Sequence, residues 1–255
     1  MSAVIPGEIR AVSFDFADTL YPHRPDELER VLKQVAASLT GFAKNGPTDF
    51  KAVHDTFLAV RERQFAENRA TLCENDLDVR FAECAQAVGA EPTGAVLSLM
   101  RDAYTNAFVS AMVAPPWLSD LLRDLAQQYQ LCLISNYPLS TPIYQTLDRD
   151  DLRRFFDTVI VSADLGVIKP HPRLFEAARE GLNHLPAKHI VHIGDDWDAD
   201  ILGAGASGMQ TVYTRQWRAT PDKRYGTGDH SPLAEIDDLR ELPEILRGAF
   251  SAGIL

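Results

Sequence analysis

The chain has 255 residues and a formal net charge of −11, with 36 acidic side chains against 25 lysines and arginines. At roughly 150 residues per domain, this length predicts about one to two domains. The 45% share of hydrophobic residues is enough to bury a core and excludes a chain that is disordered throughout. Because an acidic protein without a basic run repels phosphate backbones, nucleic acid is not an expected partner.

The cysteines and the first residues bear on the cellular compartment. Cys73, Cys84 and Cys132 are few, odd in number and without a CxxC spacing, so they fit neither a disulfide framework nor a four-cysteine zinc site. The opening sequence MSAVIPGE lacks the basic and apolar regions of a signal peptide. No apolar stretch reaches the roughly 18 residues of a membrane span. We therefore expect a cytoplasmic protein with no membrane partner.

Five short apolar runs predict buried strands. They are continuous rather than alternating, which is typical of a parallel sheet covered by helices on both faces. The runs are residues 11–16, 131–135, 158–162, 189–193 and 210–213. Segments with helical spacing, such as 172–181 and 199–208, separate the later runs. This alternation predicts the α/β class, with a doubly wound parallel-sheet (Rossmann-like) core.

A long helical region separates the first predicted strand from the second. Apolar residues at helical spacing predict helices over residues 26–39, 48–67, 77–88 and 92–111. A further helix, 117–129, leads into the second strand, and the last helix, 237–247, is expected to stop at Gly248. We therefore predict an α/β core formed by residues 1–20 and 115–255, with residues 21–114 inserted as a helical cap domain.

Polar residues follow the predicted strands at the edge where ligands bind in open parallel sheets. Asp15 ends the first strand, Ser135 and Asn136 end the second, Lys169 comes after the third, and Asp195 follows the fourth. Two carboxylates at one edge repel each other, and a hard cation such as Mg²⁺ relieves that repulsion. The metal and a lysine could hold a phosphoryl group, while Ser135-Asn136, expected at a helix N-terminus, could donate to its oxygens. A carboxylate such as Asp15 can then attack phosphorus.

Four segments in chain order carry a family resemblance. They are FDFADTL at residues 14–20, Ser135-Asn136, Lys169-Pro170, and Gly194-Asp195 with Asp200. Together they resemble the four motifs of the haloacid dehalogenase superfamily of hydrolases, over about residues 8–250. In that superfamily a mobile cap lies between the first and second motifs, where the helical insert occurs here.

The resemblance implies a role for each matching position. Asp15 would be the nucleophile and a metal ligand, the backbone carbonyl of Ala17 a second ligand, and Asp195 the third. Ser135 and Lys169 would act in catalysis by binding the transferring group, with Asn136 beside them as a substrate-binding residue. Asp196 and Asp200 would hold metal-bound waters or Lys169. The implied activity is Mg²⁺-dependent hydrolysis of a small phosphorylated metabolite through an aspartyl-phosphate, by a monomer or homodimer.

One position departs from the phosphatase pattern. The superfamily's phosphatases usually have an aspartate two residues after the nucleophile, as general acid and base, and Ala17 stands there. Such a group contributes about 10²- to 10⁴-fold in rate. In a first interpretation, Asp18, His23 or a cap residue supplies the proton. In a second, the chain resembles the phosphonate-cleaving branch, which has alanine here and forms a Schiff base with a cap lysine.

Further alternatives remain open. Lys33, Lys44 and Lys51 lie in the cap, without a signature that marks any of them as the Schiff-base lysine. A third interpretation is a protein that binds a phosphorylated ligand without converting it. A fourth is a dehalogenase, but that branch needs no metal and lacks the acid found at Asp195. The cap arginines, residues 61, 63, 69 and 80, could contact an anionic substrate, although a solvated helix face is the commoner explanation.

Overall fold

The computed structural model describes residues 9–24, 26–43, 48–217 and 230–251. Its centre is a six-stranded sheet in which every pairing is parallel. The strands are β1 (Ala11–Phe14), β2 (Gln130–Ser135), β3 (Thr158–Val161), β4 (Ile190–Gly194), β5 (Gln210–Thr214) and β6 (Ala234–Ile236). They are ordered β3-β2-β1-β4-β5-β6. This sheet, with helices around it, confirms the predicted α/β class.

The strand order reverses direction at β1, which lies between β2 and β4. Such a reversal leaves a crevice beyond the carboxyl ends of the two central strands, where ligands bind in this architecture. All four residues of β1 are buried because helices cover the sheet, which explains why its sequence, AVSF, does not alternate. The third residue of β1, Ser13, is in register with Cys132 of β2 and His192 of β4.

Four helices connect β1 to the helix that precedes β2. They are α1 (Glu27–Ser38), α2 (Phe50–Thr71), α3 (Leu77–Ala87) and α4 (Gly94–Ala111). Helix α1 buries the apolar stripe predicted for it, including Val31, Leu32 and Val35. Side chains of Asp49 and Thr93 accept hydrogen bonds from backbone N–H groups at the starts of α2 and α4, which fixes where those helices begin. Helix α1 packs on α4, and α2 packs on α3.

The remaining helices surround the sheet. They are α5 (Leu118–Ala126), α6 (Ser140–Arg149), α7 (Ser162–Leu165), α8 (Pro172–Gly181), a π-helical segment (Trp197–Leu202), α9 (Gly203–Ala206) and α10 (Leu242–Ser251). Short 3-10 turns cover Arg153–Phe155, Ala187–His189 and Leu239–Glu241. None of the helices in the described ranges combines the length and apolar character needed to cross a membrane.

Three details of the structure differ from the sequence prediction. The last helix does not stop at Gly248 but continues to Ser251, because a glycine inside a helix costs only about 1 kcal/mol relative to alanine. The strand β6 was not predicted, since its three residues are too few to show a pattern. The predicted helix 199–208 is divided between the π-helical segment and α9.

Aromatic side chains join the four-helix region to the sheet. Phe16, just after β1, stacks on Tyr21 with ring centroids 4.7 Å apart and on Phe108 of α4 at 6.4 Å. Phe108 also packs against Tyr137, which follows β2, at 4.9 Å. These buried rings belong to a single apolar cluster that includes residues of both regions. The cavity described next lies beside this cluster.

Candidate active site

A cavity of about 430 Å³ opens at the carboxyl ends of β1 and β2 and extends between the helices α1–α4. Asp15, Ala17, Ser135 and Asn136 line it from the sheet side. The helical side contributes apolar, aromatic and charged groups, among them Glu27, Phe57, Arg61, Arg80, Tyr104 and Phe108. The cavity therefore has a polar end at the strand termini and a mixed wall made by the helices.

The Lys169 ammonium group is the centre of the buried polar network at this edge of the sheet. Its side chain is 2% exposed, and its Nζ donates to the carboxylate of Asp15 at 2.7 Å, to that of Asp200 at 2.6 Å and to the backbone carbonyl of Ile134 at 2.8 Å. An ammonium group has three hydrogens, and all three are satisfied. Residues that are far apart in the chain thus meet around one cation.

Asp200 and His192 support this lysine. Asp200 also accepts a hydrogen bond from the backbone N–H of Asp196 at 3.0 Å, and its Oδ1 lies 3.2 Å from His192 Nε2. The other ring nitrogen of His192 lies 3.0 Å from the Ser13 hydroxyl. Burial lowers the pKa of His192, so its ring is neutral at pH 7. A neutral ring fits these contacts if Nε2–H donates to Asp200 and Nδ1 accepts from Ser13.

The carboxylates of this network titrate in opposite directions. Burial raises the pKa of Asp15 to about 7, against the attraction of Lys169 and with a smaller contribution from the nearby charge of Asp200. Burial also acts on Asp200, but Lys169 and His192 together hold its pKa well below the usual range. Lys169 stays protonated because its two carboxylate neighbours outweigh the effect of burial and raise its pKa. A divalent cation beside Asp15 would favour the ionised carboxylate.

Asn136 fixes the backbone of Lys169. Its side-chain amide donates to the Lys169 carbonyl at 3.0 Å and accepts from the Lys169 N–H at 2.7 Å. The peptide bond between Lys169 and Pro170 is cis. Ser135, which is 3% exposed, ends β2 and lines the cavity. The helix expected to begin at Ser135-Asn136 begins only at Ser140, so the loop between them separates these residues from a helix N-terminus.

Three acids offer ligands for a cation. Asp15, Asp195 and Asp200 each have a carboxylate oxygen, and these oxygens all lie within 4.8 Å of one another. Asp200 is occupied by Lys169 and His192, which leaves Asp15 and Asp195 better placed for a metal. The close approach requires Gly194, because a Cβ there would lie 2.3 Å from Asp200 Cγ. This donor set, rich in carboxylate oxygen, fits Mg²⁺.

The proton donors suggested for the position of Ala17 differ in their surroundings. Asp18 adopts a left-handed conformation, with φ of 56°, and its carboxylate accepts from the backbone N–H of His23 at 2.8 Å. Its carboxylate is therefore used to hold the loop after β1, and Asp18 is not among the described residues that line the cavity. His23 does line the cavity, and its Nδ1 lies 3.8 Å from the carboxylate of Glu27.

The predicted cap lysines lie elsewhere. Lys33 pairs with Glu29 at 2.7 Å, and Lys51 pairs with Asp55; both lysines are at least half exposed. Lys44 lies outside the described residues. Among the described residues that line the cavity, none is a lysine. Among the described residues of the cavity wall, there is therefore no lysine that could form the Schiff base.

Some residues of the network were not predicted as functional. His192 had no role assigned to it from the sequence, and the structure places it fully buried in contact with Asp200. A signal was available, since Ser13 and His192 are the polar members of otherwise apolar strands. Arg80 is 3% exposed and lines the cavity, whereas Arg63 is half exposed and pairs with Glu83.

Comparison with known proteins finds relatives and solved structures that cover nearly the whole chain. The curated glyceraldehyde 3-phosphate phosphatase of Methanopyrus kandleri is 27% identical over 240 residues, covering 94% of this chain and 97% of its own. The structure of the HAD-hydrolase YfnB from Bacillus subtilis, described as bound to magnesium, has a TM-score of 0.63 and 25% identity, covering 94% of this chain and 99% of its own.

A 2-haloacid dehalogenase from Pseudomonas syringae shares the fold alone, with a TM-score of 0.69, 24% identity and coverage of 94% of this chain and 99% of its own. Residues 9–208 match the haloacid dehalogenase-like hydrolase family. The predicted enzyme class, a hydrolase of the phosphatase type, agrees with the curated relative. The chain belongs to the haloacid dehalogenase-like hydrolases.

Proposed function

We propose that this protein is a Mg²⁺-dependent phosphatase that hydrolyses a small phosphorylated metabolite through an aspartyl-phosphate on Asp15. The observation that carries the proposal is the meeting of Asp15, Asp195 and Lys169 with Asp200 at the polar end of a cavity. A curated relative that covers nearly the same length acts on a three-carbon phosphate, glyceraldehyde 3-phosphate, as its name states. A cavity of about 430 Å³ is large enough for a metabolite of that class.

The metal would be held by the carboxylates of Asp15 and Asp195 and by the backbone carbonyl of Ala17. The last ligand depends on the backbone, so alanine at this position does not remove it. When bound, Mg²⁺ would neutralise phosphoryl charge and offset the repulsion between the two carboxylates. We further propose that residues 1–20 and 115–255 act as the core and residues 21–114 as the cap, whose helices form the outer wall of the cavity.

The chain's own groups would perform the transfer. The Asp15 carboxylate oxygen that does not bond to Lys169 would attack phosphorus, forming an oxygen–phosphorus bond as the ester bond breaks and the alcohol leaves. The Ser135 hydroxyl would bind a phosphoryl oxygen, and the Lys169 ammonium, whose three hydrogens are engaged in the free protein, would exchange one of these bonds for a phosphoryl oxygen, so that both groups stabilise charge during transfer. Water then hydrolyses the aspartyl-phosphate and restores Asp15. Asn136, Asp200 and His192 would act as positioning residues, because they contact Lys169 or one of its partners.

The leaving alcohol needs a proton that Ala17 cannot supply. His23 is the residue we propose for this role, since it lines the cavity while Asp18 is bound to the loop backbone. The same arrangement does not favour a phosphonate hydrolase, because the described wall has no lysine to form a Schiff base. A protein that binds its ligand without turnover is the remaining alternative, and activity measurements distinguish it.

The test is phosphate release from p-nitrophenyl phosphate, whose leaving group hardly needs a proton. We expect activity that requires Mg²⁺, is abolished by EDTA and falls at least about 10³-fold in Asp15→Asn, since the nucleophile is lost. Asp124→Asn removes a carboxylate that is 65% exposed on α5 and serves as the matched control. Trapping with hydroxylamine should capture the phosphorylated aspartate at position 15. Full activity in Asp15→Asn would refute the mechanism, and an inactive wild type would favour the binding protein.

A further inference from the structure

The guanidinium group of Arg80 is buried in the wall of the cavity with part of its hydrogen-bonding capacity unused. Arg80 lies on α3 and is 3% exposed. Its Nε donates to the side-chain oxygen of Gln64, while no described residue provides a partner for its buried Nη2. Its Cζ lies 5.5 Å from the ring centroid of Phe57 and 5.7 Å from that of Phe65. The rings hold the guanidinium in place without satisfying its hydrogen bonds.

Arg80 has no close ionic partner among the described residues. The Glu74 carboxylate attracts it electrostatically, but no carboxylate oxygen of a described residue lies within 4.0 Å of the Arg80 nitrogens, whereas other arginines of the same helical region are paired. Arg63 binds Glu83, and Arg101 binds Asp78. Buried arginines are rarely left unpaired, because desolvating a charge is costly. A buried cation with an unused donor beside a cavity therefore indicates a ligand that brings the missing acceptor.

The side chains near Arg80 do not supply the hydrogen-bond acceptor that its Nη2 lacks. Glu74 also lines the cavity, but its carboxylate accepts from the Ser162 hydroxyl and from the backbone N–H of Asn75. The hydroxyl groups of Tyr104 and Tyr137 bond to each other at 2.7 Å. Arg61 adds a second cation to the wall, with its Cζ 4.7 Å from the Phe65 centroid. This part of the cavity is thus rich in positive charge.

We propose that Arg80 selects substrates that carry a second anionic group, either a carboxylate or a second phosphate, away from the phosphoryl group that Asp15 attacks. This inference rests on the proposed function and deepens it by naming the substrate class. Nη2 is buried in the free protein, so a shift of the guanidinium would bring this unpaired donor to an oxygen of the second group; the planar guanidinium is well suited to carboxylate and phosphate. Arg80 is then a specificity residue and takes no part in bond breaking.

The experiment compares three ligands that differ in the group remote from one phosphate: glycerol 3-phosphate, 3-phosphoglycerate and glycerol 1,3-bisphosphate. Calorimetry with Mg²⁺ measures their dissociation constants in Asp15→Asn, so that binding is measured separately from turnover. We expect tighter binding of at least one of the two doubly anionic ligands than of glycerol 3-phosphate, by about 10- to 100-fold for one charged hydrogen bond. Comparing 3-phosphoglycerate with glycerol 1,3-bisphosphate shows whether a carboxylate or a second phosphate is preferred.

For each doubly anionic ligand, the preference is the ratio of the glycerol 3-phosphate dissociation constant to its own. This ratio is measured again in Asp15→Asn proteins that also carry Arg80→Met, Arg80→Lys or Arg63→Met. We expect Arg80→Met to remove most of the preference and Arg80→Lys to keep part of it, because lysine retains the charge but not the planar fork. Arg63→Met, at a half-exposed arginine, should leave the ratio at its parent value. If Arg80→Met does not fold, a reduced ratio in Arg80→Lys supports the proposal.

The proposal is overturned if the parent binds all three ligands equally, or if the substitutions at Arg80 leave the preference intact. Hydrolysis of the same ligands by the wild type tests the proposed function separately. Anion-selective binding without any phosphate release would retain the role of Arg80 and refute the phosphatase activity.

Discussion

Asp15 is predicted to destabilise the metal-free protein, and Asp15→Asn should therefore raise its stability. Burial is the main reason why the pKa of Asp15 is about 7 instead of 3.8. At 1.36 kcal/mol per pKa unit, this difference corresponds to at most about 4 kcal/mol against folding when the carboxylate is ionised. The attraction of Lys169 is already contained in this pKa, and the neutral amide resembles the protonated acid. We therefore expect a net gain of up to about 4 kcal/mol at pH 8.

The sign of the pH dependence follows from the raised pKa. The folded protein holds the Asp15 proton more tightly than the unfolded chain, so ionisation of Asp15 lowers the free energy of unfolding as the pH rises from about 4 to about 7. The difference between Asp15→Asn and the wild type should therefore be small near pH 4 and greatest above pH 7. In excess Mg²⁺ the wild type should gain stability by mass action, and the variant should gain less.

The assay is guanidinium chloride unfolding in EDTA, followed by tryptophan fluorescence at a series of pH values. Asp124→Asn again provides the control, since an exposed carboxylate should change stability by less than about 0.5 kcal/mol. A variant that is less stable than the wild type at pH 8 without metal would refute this electrostatic account. A gain that does not depend on pH would also contradict it, because the reasoning attributes the gain to ionisation of Asp15.

Three further predictions concern the same site. Ala17→Asp should raise turnover of alkyl phosphates at least about 10-fold relative to p-nitrophenyl phosphate, by restoring a general acid; an unchanged ratio would mean that another group already supplies the proton. Asp200→Ala removes the acceptor of Lys169 and His192 and should lower the free energy of unfolding by about 3 to 5 kcal/mol in chemical denaturation; a loss under 1 kcal/mol would contradict that role. Glu74→Ala should speed amide hydrogen exchange at residues 72–75 and 166–168 about 10-fold or more, because it removes the carboxylate that accepts from the Ser162 hydroxyl and the Asn75 N–H and so supports the backbone bonds between these segments; unchanged exchange would show that the backbone bonds suffice.

The residues at the strand ends could be predicted because their position depends only on where the strands end and on the strands being parallel. Continuous apolar runs identify the parallel strands, and the carboxyl ends of parallel strands share one edge. Asp15 and Lys169 therefore meet although 153 residues separate them in the chain. The family resemblance added the roles that we propose for them, which no pattern of hydrophobicity contains. The resemblance was most informative for Lys169. This residue lies several positions beyond the end of β3, so the position of the strand alone does not predict where the lysine is.

The supporting residues depend on packing and register that the sequence does not show. Ser13 and His192 contact each other because β1 and β4 pair with those two residues opposite each other. A shift of one residue would turn one of them to the other face of the sheet. Arg80 was compatible with a solvated helix face, and only the packing of α3 against α2 shows that it is buried. Periodicity identifies an amphipathic helix but does not identify its neighbour.

The two ends of the cavity carry opposite excess charges, and under the proposed function this would make the site bind its ligands at the expense of its own stability. At the strand termini, the ammonium of Lys169 pairs with the carboxylates of Asp15 and Asp200, and the carboxylate of Asp195 lies close to both, so acidic groups outnumber the cation. At the helical wall, the guanidinium of Arg80 has no carboxylate oxygen within 4.0 Å among the described residues, and Arg61 adds a second cation. A divalent cation at the first end and a doubly anionic metabolite between the two would satisfy both. The same residues therefore cost stability in the free protein and supply binding energy in the complex, which is why Asp15→Asn is expected to gain stability as it loses activity.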